Sequence, residues 1–104
     1  MFDMIKKLQE AQQKMKEIKA RLETITVEGK SSDGSVSVKA NGNRKILGMN
    51  ISEDASIRPV TEMKDQILEA VSAAVEAADQ VNESEMKAAA SGMMPGMGGL
   101  FSKS

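Results

Sequence analysis

The spacing of apolar residues predicts that the chain opens with one long amphipathic helix. From Met4 to Ile25 the apolar positions recur in alternating steps of four and three, without a break. They are Met4, Leu8, Ala11, Met15, Ile18, Leu22 and Ile25. This heptad spacing is typical of a helix that packs along its length on a partner. We therefore predict a helix over residues 2–24 and call its apolar stripe the seam.

A row of cations lies beside the seam. It consists of Lys7, Lys14 and Arg21, and each cation has an acid four residues earlier, a spacing that supports helices. In a parallel coiled coil Lys14 would face the copy of Lys19, which is repulsive. We therefore expect the seam to pack on a sheet or on an antiparallel helix. An intermolecular zipper stays open as the alternative.

Three stretches with a period of two follow and predict an antiparallel meander. They cover residues 24–28, 35–40 and 44–51, with a turn cluster at 29–34. Asn41-Gly42 is a strong hairpin signal. In the third stretch, Leu47, Met49 and Ile51 are expected on one face.

The register of the second and third strands is not decided by this pattern. A strict two-residue loop would pair Val36 with Leu47 but also Val38 with Lys45. Because the second pair puts a cation opposite an apolar residue, we expect a bulge or a longer loop.

A second long helix is predicted after a polar connection over residues 52–60. Thr61 is the expected N-cap, and no Gly or Pro interrupts the pattern up to about Ala90. The predicted apolar face comprises Met63, Ile67, Leu68, Val71, Ala74, Val75, Ala78 and Val81. At 1.5 Å per residue the two helices would be roughly 35 and 45 Å long. A three-stranded sheet cannot cover both, so we expect them to project beyond it or to be covered by a second subunit.

Composition supports an assembly of small subunits. The 104 residues suggest one domain, and only two are aromatic, so Leu, Ile, Val, Met and Ala must build the core. The chain has no Cys, His, Trp or Tyr, which removes thiolate chemistry, the commonest general base and most base-stacking platforms. We expect a single α+β domain over residues 1–90 and a flexible Gly/Met-rich tail over 91–104. With neither a signal peptide nor a membrane-spanning run evident, a cytoplasmic location is expected.

The charge is unevenly distributed along the chain. Residues 1–50 carry 10 Lys/Arg against 6 Asp/Glu, whereas residues 51–104 carry 4 against 9. An anionic partner is therefore expected to meet the first half.

Several motifs in this order resemble the YbaB/EbfC family of nucleoid-associated DNA-binding proteins. They are Leu8, residues 11–15 (AQQKM), 27–29 (VEG), 34–38 (GSVSV), Asn41-Gly42, Ile51 and the start of the tail at 91–93. The resemblance covers nearly the whole chain. It implies a homodimer in which paired sheets form a central body and the helices extend as tweezer-like arms. It also implies DNA binding with at most weak sequence preference.

The sequence departs from the family pattern in two places. Residues 52–54 read SED where relatives tend to have Asp-Pro, and the second helix is acidic. We therefore place DNA contacts on the first helix and on the hairpin. The candidates are Lys6, Lys7, Lys14, Lys16, Lys19, Arg21, Arg44 and Lys45. The competing interpretation is that these cations are an ordinary solvated helix face.

Two functional hypotheses follow. The first is an architectural protein that binds double-stranded DNA as a homodimer, mainly through phosphates, and is associated with the nucleoid. The alternative is a dimeric adaptor that grips a protein with its helical arms, which the acidic second helix favours. An enzyme is not expected, nor is a cofactor, a metal, a small-molecule substrate or a membrane partner.

Overall fold

The computed structural model describes residues 2–93 and contains one three-stranded antiparallel sheet flanked by two long helices. The elements are α1 (Phe2–Thr24), β1 (Thr26–Lys30), β2 (Val36–Asn41), β3 (Ile46–Ile51), α2 (Glu53–Ser56) and α3 (Val60–Met93). The strand order is β1-β2-β3. The predicted α+β class, the meander and the first helix over residues 2–24 are confirmed.

The core lies between β2 and α3. Val36, Val38 and Ala40 alternate along β2 and are fully buried. Opposite them, alanines recur every fourth residue on one face of α3 and are equally buried; they are Ala70, Ala74 and Ala78. The small side chains let α3 approach the sheet closely. The predicted apolar face of α3 is wrong at Leu68, which is 66% exposed.

The β2–β3 ladder contains the irregularity that the sequence predicted. Val36 lies opposite Ile51 and Val38 opposite Met49, but the register shifts between Lys39 and Ala40. This shift leaves Leu47 outside the ladder, and Ile46 takes the position opposite Ala40. The expected shared face is therefore confirmed by the register for Met49 and Ile51, which pair with Val38 and Val36, and stays a prediction for Leu47. A bulge resolves the mismatch because it moves Lys45 away from Val38.

The β2–β3 turn is wider than a two-residue hairpin. The side-chain oxygen of Asn41 accepts hydrogen bonds from the backbone N–H of Asn43, at 2.9 Å, and of Lys45, at 3.1 Å. Gly42 lies against α1, and its N–H donates to the carbonyl of Leu22 at 2.9 Å. A Cβ at Gly42 would lie 2.8 Å from Cδ2 of Leu22, so glycine is required there for close packing.

The connection to the last helix also differs from the prediction. Residues 53–56 form the short helix α2, capped by Ser52, whose hydroxyl accepts from the N–H of Ala55 at 3.3 Å. Thr61 is not the N-cap of α3. The helix begins at Val60, and the carbonyl of Pro59 accepts its first hydrogen bonds. The helix ends at Met93, so residues 91–93 of the predicted tail are helical, and residues 94–104 lie outside the described part.

The first half of α1 projects away from the rest of the fold. The two buried residues of α1, Ile18 and Leu22, are in its second half. Met4, Leu8 and Met15, which precede them on the same seam, are exposed. The radius of gyration is 18.9 Å, against about 13 Å for a compact domain of this size. The expectation of helices too long for the sheet to cover is therefore confirmed for α1.

Candidate nucleic-acid interface

The candidate cations of α1 are all exposed, but they do not share one face. Because a helix turns once in 3.6 residues, Lys7, Lys14 and Arg21 lie on one side of the seam. Lys16 and Lys19 lie on the other side, and Lys6 lies away from the seam. The structure therefore separates Lys7 and Lys14, on the free half of α1, from Arg21, which meets α3, and from a group near the sheet that contains Lys16 and Lys19.

The ion pairs of α1 differ from those that the sequence suggested. The sequence suggested that each cation of the row pairs with the acid four residues earlier. Within residues 2–93 no such pair has a nitrogen–oxygen distance of 4.0 Å or less. Lys14 instead lies 3.9 Å from Glu17. Arg21 makes a 2.8 Å contact with Glu85 of α3. Arg21 therefore pairs with an acid of α3 and not with Glu17, the acid four residues earlier in α1.

The group near the sheet lines a groove between three elements, which we call the α1–turn groove. Its lining residues are Met15, Lys16, Lys19, Asn43, Arg44, Asn82 and Met86, and its volume is about 440 Å³. Two amide side chains join its walls. The amide nitrogen of Asn43 donates to the carbonyl of Lys19 at 3.0 Å, and that of Asn82 donates to the carbonyl of Gly42 at 3.0 Å.

Arg44 occupies an unusual backbone conformation in this turn. Its φ is 69°, in the left-handed region that residues other than Gly and Asn rarely adopt. Its guanidinium donates to the carboxylate of Asp79 on α3. Lys45, the next residue, is exposed and does not line the groove. The hairpin candidates are thus placed differently: Arg44 joins Lys16 and Lys19, whereas Lys45 stands apart.

The sequence did not identify the polar partners of this groove. Asn43 and Asn82 line it from the turn and from α3. Asp79 of α3 does not line the groove but binds Arg44, from which it is 35 residues away in the chain. The only local signal was the high acid content of α3. The periodicity of one helix cannot show which residue of another helix an acid will meet.

A second charged cluster holds the β1–β2 loop. One carboxylate oxygen of Asp33 accepts from Ser35 Oγ at 2.6 Å, from Ser35 N at 2.9 Å and from Ser31 Oγ at 3.0 Å. The other accepts from Arg58 at 2.6 Å. The hydrogen bonds from Ser35 and then from Arg58 hold the pKa of Asp33 well below its usual range. This cluster ties the loop to the segment before α3 and leaves Arg58 outside the candidate interface.

Strand β3 presents an uncovered apolar edge. Ile46, Leu47 and Met49 are 42%, 51% and 44% exposed, because α3 packs mainly on β1 and β2. None of the six residues of β3 is charged. By contrast, β1 carries Glu28 and Lys30 on the opposite edge, which form an ion pair at 3.5 Å. Charged residues protect an edge strand from pairing, and β3 lacks them.

Within residues 2–93, no cluster of three or more Asp, Glu, His or Cys side chains is arranged to hold a metal ion. None of the helices in this range is both long enough and apolar enough to cross a bilayer.

Comparison with known proteins identifies the family of this chain. The family model of the YbaB/EbfC DNA-binding family matches residues 1–93. The chain belongs to this family. It is 38% identical over 92 residues to nucleoid-associated protein CT0805 of Chlorobaculum tepidum, a match that covers 88% of this chain and 82% of that protein. It is 31% identical over 100 residues to a nucleoid-associated protein of Flavobacterium johnsoniae, covering 96% of this chain and 93% of the relative.

A solved structure shares the fold of this YbaB/EbfC chain. It is the crystal structure of uncharacterized protein HP0035 from Helicobacter pylori, with a TM-score of 0.63 and 17% sequence identity. The match covers 74% of this chain and 90% of that one. The resemblance derived from the motifs is thus confirmed at the level of family and fold.

Proposed function

We propose that this YbaB/EbfC protein is a nucleoid-associated architectural protein that acts as a homodimer on duplex DNA, mainly through phosphate contacts. The observation that carries the proposal is family membership combined with six exposed cations on α1. The two relatives named as nucleoid-associated proteins support it further, because the match covers 82% and 93% of their length.

The charge distribution supports the first helix as the DNA-binding element. Helix α1 carries six Lys/Arg against four Asp/Glu, whereas α3 carries two against seven. Four of the cations, Lys6, Lys7, Lys16 and Lys19, make no ion pair within residues 2–93. They can therefore neutralise phosphates without first losing a partner. Phe2, at the start of α1, is the only aromatic residue in residues 2–93, and one ring cannot stack a run of bases. Duplex DNA with little sequence preference is therefore the expected target.

Salt dependence tests the electrostatic mechanism. Each phosphate neutralised on B-DNA contributes about −0.9 to the slope of log K against log salt, because counterions are released. We expect a Lys7→Glu/Lys14→Glu double variant to bind duplex DNA more weakly, with a slope shallower by about 1.8. Fluorescence anisotropy with two duplexes of unrelated sequence measures this, and wild-type protein should bind both alike.

The matched control is a Lys64→Glu/Lys87→Glu double variant, which makes the same charge change on exposed sites of α3. If both doubles lose affinity equally, only net charge matters and the assignment to α1 is wrong. If wild-type protein binds neither duplex at about 100 mM salt, the proposed DNA-binding function is wrong.

The dimer is proposed to form through the edge of β3. Its apolar side chains are exposed in the single chain, and its backbone edge carries no charge that would oppose strand pairing. Burial of this edge by a second copy would give the central body that the resemblance implies. Sheet pairing there would leave both α1 helices extended as arms.

A matched pair of leucines distinguishes the sheet from the helix as the dimer surface. Leu47 of β3 and Leu8 of α1 are similarly exposed, at 51% and 63%. We expect Leu47→Asp to shift the protein towards monomer in sedimentation velocity, and Leu8→Asp to leave the dimer intact. The reverse result would mean that the chains associate through their helices.

A second candidate function is an adaptor that grips a protein with its helical arms. The exposed first half of the seam on α1 and the acidic surface of α3 favour it. Absence of DNA binding together with a single co-purifying protein would support this alternative.

A further inference from the structure

We propose that the α1–turn groove holds one phosphate of the DNA backbone, and that this phosphate displaces Asp79 from Arg44. The proposal rests on the proposed DNA-binding function and specifies one contact within it. It also gives an acid of α3 a role that opposes binding.

Three cations converge on this groove from two elements. Lys16 and Lys19 come from α1, three residues apart and therefore on the same face of the helix. Arg44 comes from the β2–β3 turn. Cations gathered in one groove repel each other unless an anion lies among them. In the free chain, the carboxylate of Asp79 supplies an anionic oxygen to Arg44, which is the chemistry that a phosphate oxygen would supply.

The walls of the groove are fixed by hydrogen bonds. The Asn43 side chain binds the carbonyl of Lys19, and the buried Asn82 binds the carbonyl of Gly42, each at 3.0 Å. The N–H of Gly42 in turn binds the carbonyl of Leu22. These bonds hold the turn against α1 and α3, so the backbone of Arg44 is kept close to that of Lys19.

The backbone of Arg44 is a second indication of function. A left-handed conformation suits Asn better than Arg, yet the chain has Asn43 at the neighbouring position and Arg at the left-handed one. Backbone strain of this kind persists where the side chain is needed in a particular place. Here the residue in this conformation lines the groove, and its guanidinium binds Asp79 of α3.

The Arg44–Asp79 pair is accessible enough to be exchanged. Both side chains are 46% exposed. Ion pairs this exposed contribute little to stability, so their loss on binding costs little. A phosphodiester oxygen is a good alternative acceptor, since guanidinium matches phosphate geometry.

Two substitutions with opposite expected signs test the proposal. Arg44→Asn removes the cation but suits the left-handed backbone, so it should weaken duplex binding and make the salt slope shallower by about 0.9 without lowering the melting temperature. Asp79→Asn removes the competing acid and should tighten binding by about threefold, from the Coulomb repulsion of one carboxylate at about 6 Å from a phosphate in water.

Matched controls separate these effects from net charge. Lys45→Asn makes the same charge change as Arg44→Asn at an exposed site outside the groove. Glu76→Gln makes the same change as Asp79→Asn one turn earlier on α3, at a residue without an ion pair in residues 2–93. Both controls should change affinity less than their counterparts.

The results separate this proposal from the broader one. Equal effects of each variant and its control, or weaker binding by Asp79→Asn, would overturn the groove assignment while duplex binding by wild type stands. Loss of binding in the Lys7/Lys14 double variant, with both groove variants unaffected, would place the contact on the free half of α1. If wild type binds no duplex, the proposed function itself fails.

Discussion

Gly29 of β1 lies directly against the backbone of α3, and adding one methyl group there tests the packing of the core. In Gly29→Ala the new Cβ would lie 2.1 Å from the backbone N of Ala74, 2.6 Å from the carbonyl of Ala70 and 2.7 Å from the carbonyl carbon of Ala73. All three are backbone atoms of α3. They cannot rotate away as a side chain would, so the helix has to move.

The size of the effect follows from these distances. Ordinary van der Waals contact begins at 3.4 Å, so α3 would have to move from β1 by about 1.3 Å at this point. Overpacking a core costs about 1–3 kcal/mol, and a clash with backbone belongs at the upper end. The restriction of the unfolded chain by Ala returns only about 0.4–1 kcal/mol. We therefore expect a net loss of about 2–3 kcal/mol.

Urea unfolding followed by far-ultraviolet circular dichroism measures this loss, at one fixed protein concentration because association with a second copy would raise the stability. Gly48→Ala is the control for the added methyl group: Gly48 is also in a strand, and a Cβ there meets nothing of its own chain within 4 Å. Because β3 is also the proposed dimer edge, sedimentation velocity has to show that this variant associates like wild type. It should leave the free energy of unfolding within about 1 kcal/mol of wild type. A Gly29→Ala protein as stable as the control would mean that α3 does not lie on β1 as described.

The remaining predictions concern α1 and the loops. Leu22→Ala removes a fully buried side chain between α1 and the β2–β3 turn, and should lower the free energy of unfolding by about 2–5 kcal/mol in the same urea assay. The lowered pKa of Asp33 means that its hydrogen bonds stabilise the fold fully above about pH 4, the range of an unfolded Asp, and that this stabilisation falls as the pH drops towards the folded-state pKa. Thermal melting between pH 7 and pH 3 should therefore show a smaller loss on acidification in Asp33→Asn than in wild type.

In the folded chain, two acids of α3 pair with cations from other elements. The sequence showed only that α3 is acidic, which is unfavourable for DNA contact by that helix. The structure pairs Glu85 with Arg21 and Asp79 with Arg44, so α3 supplies a partner to two of the eight candidate cations, and Glu17 of α1 pairs with a third, Lys14. The proposed phosphate contacts would engage Lys6, Lys7, Lys16 and Lys19 without breaking an ion pair within residues 2–93, whereas at Arg44 they would have to replace Asp79.

Local periodicity was sufficient for much of the fold. A heptad pattern specifies a helix because side chains three and four residues apart share its surface, and α1 has the predicted bounds. Alternation specifies strands for a similar reason, and Val36 and Val38 are buried as the pattern requires. The start of α3 was predicted wrongly. Thr61 has a side chain typical of an N-cap, but the helix begins at Val60, and the carbonyl of Pro59 accepts the first hydrogen bonds of the helix.

What the sequence determined by itself was the order and type of the elements, the unequal charge of the two halves and the family, since each of these depends on neighbours in the chain. Only the tertiary structure decided the partners. It placed the bulge at Leu47, set Gly29 against α3 and joined Arg44 to Asp79, which is 35 residues away in sequence. Such pairings depend on how helix and sheet surfaces approach in space, and no periodicity within one element carries that information.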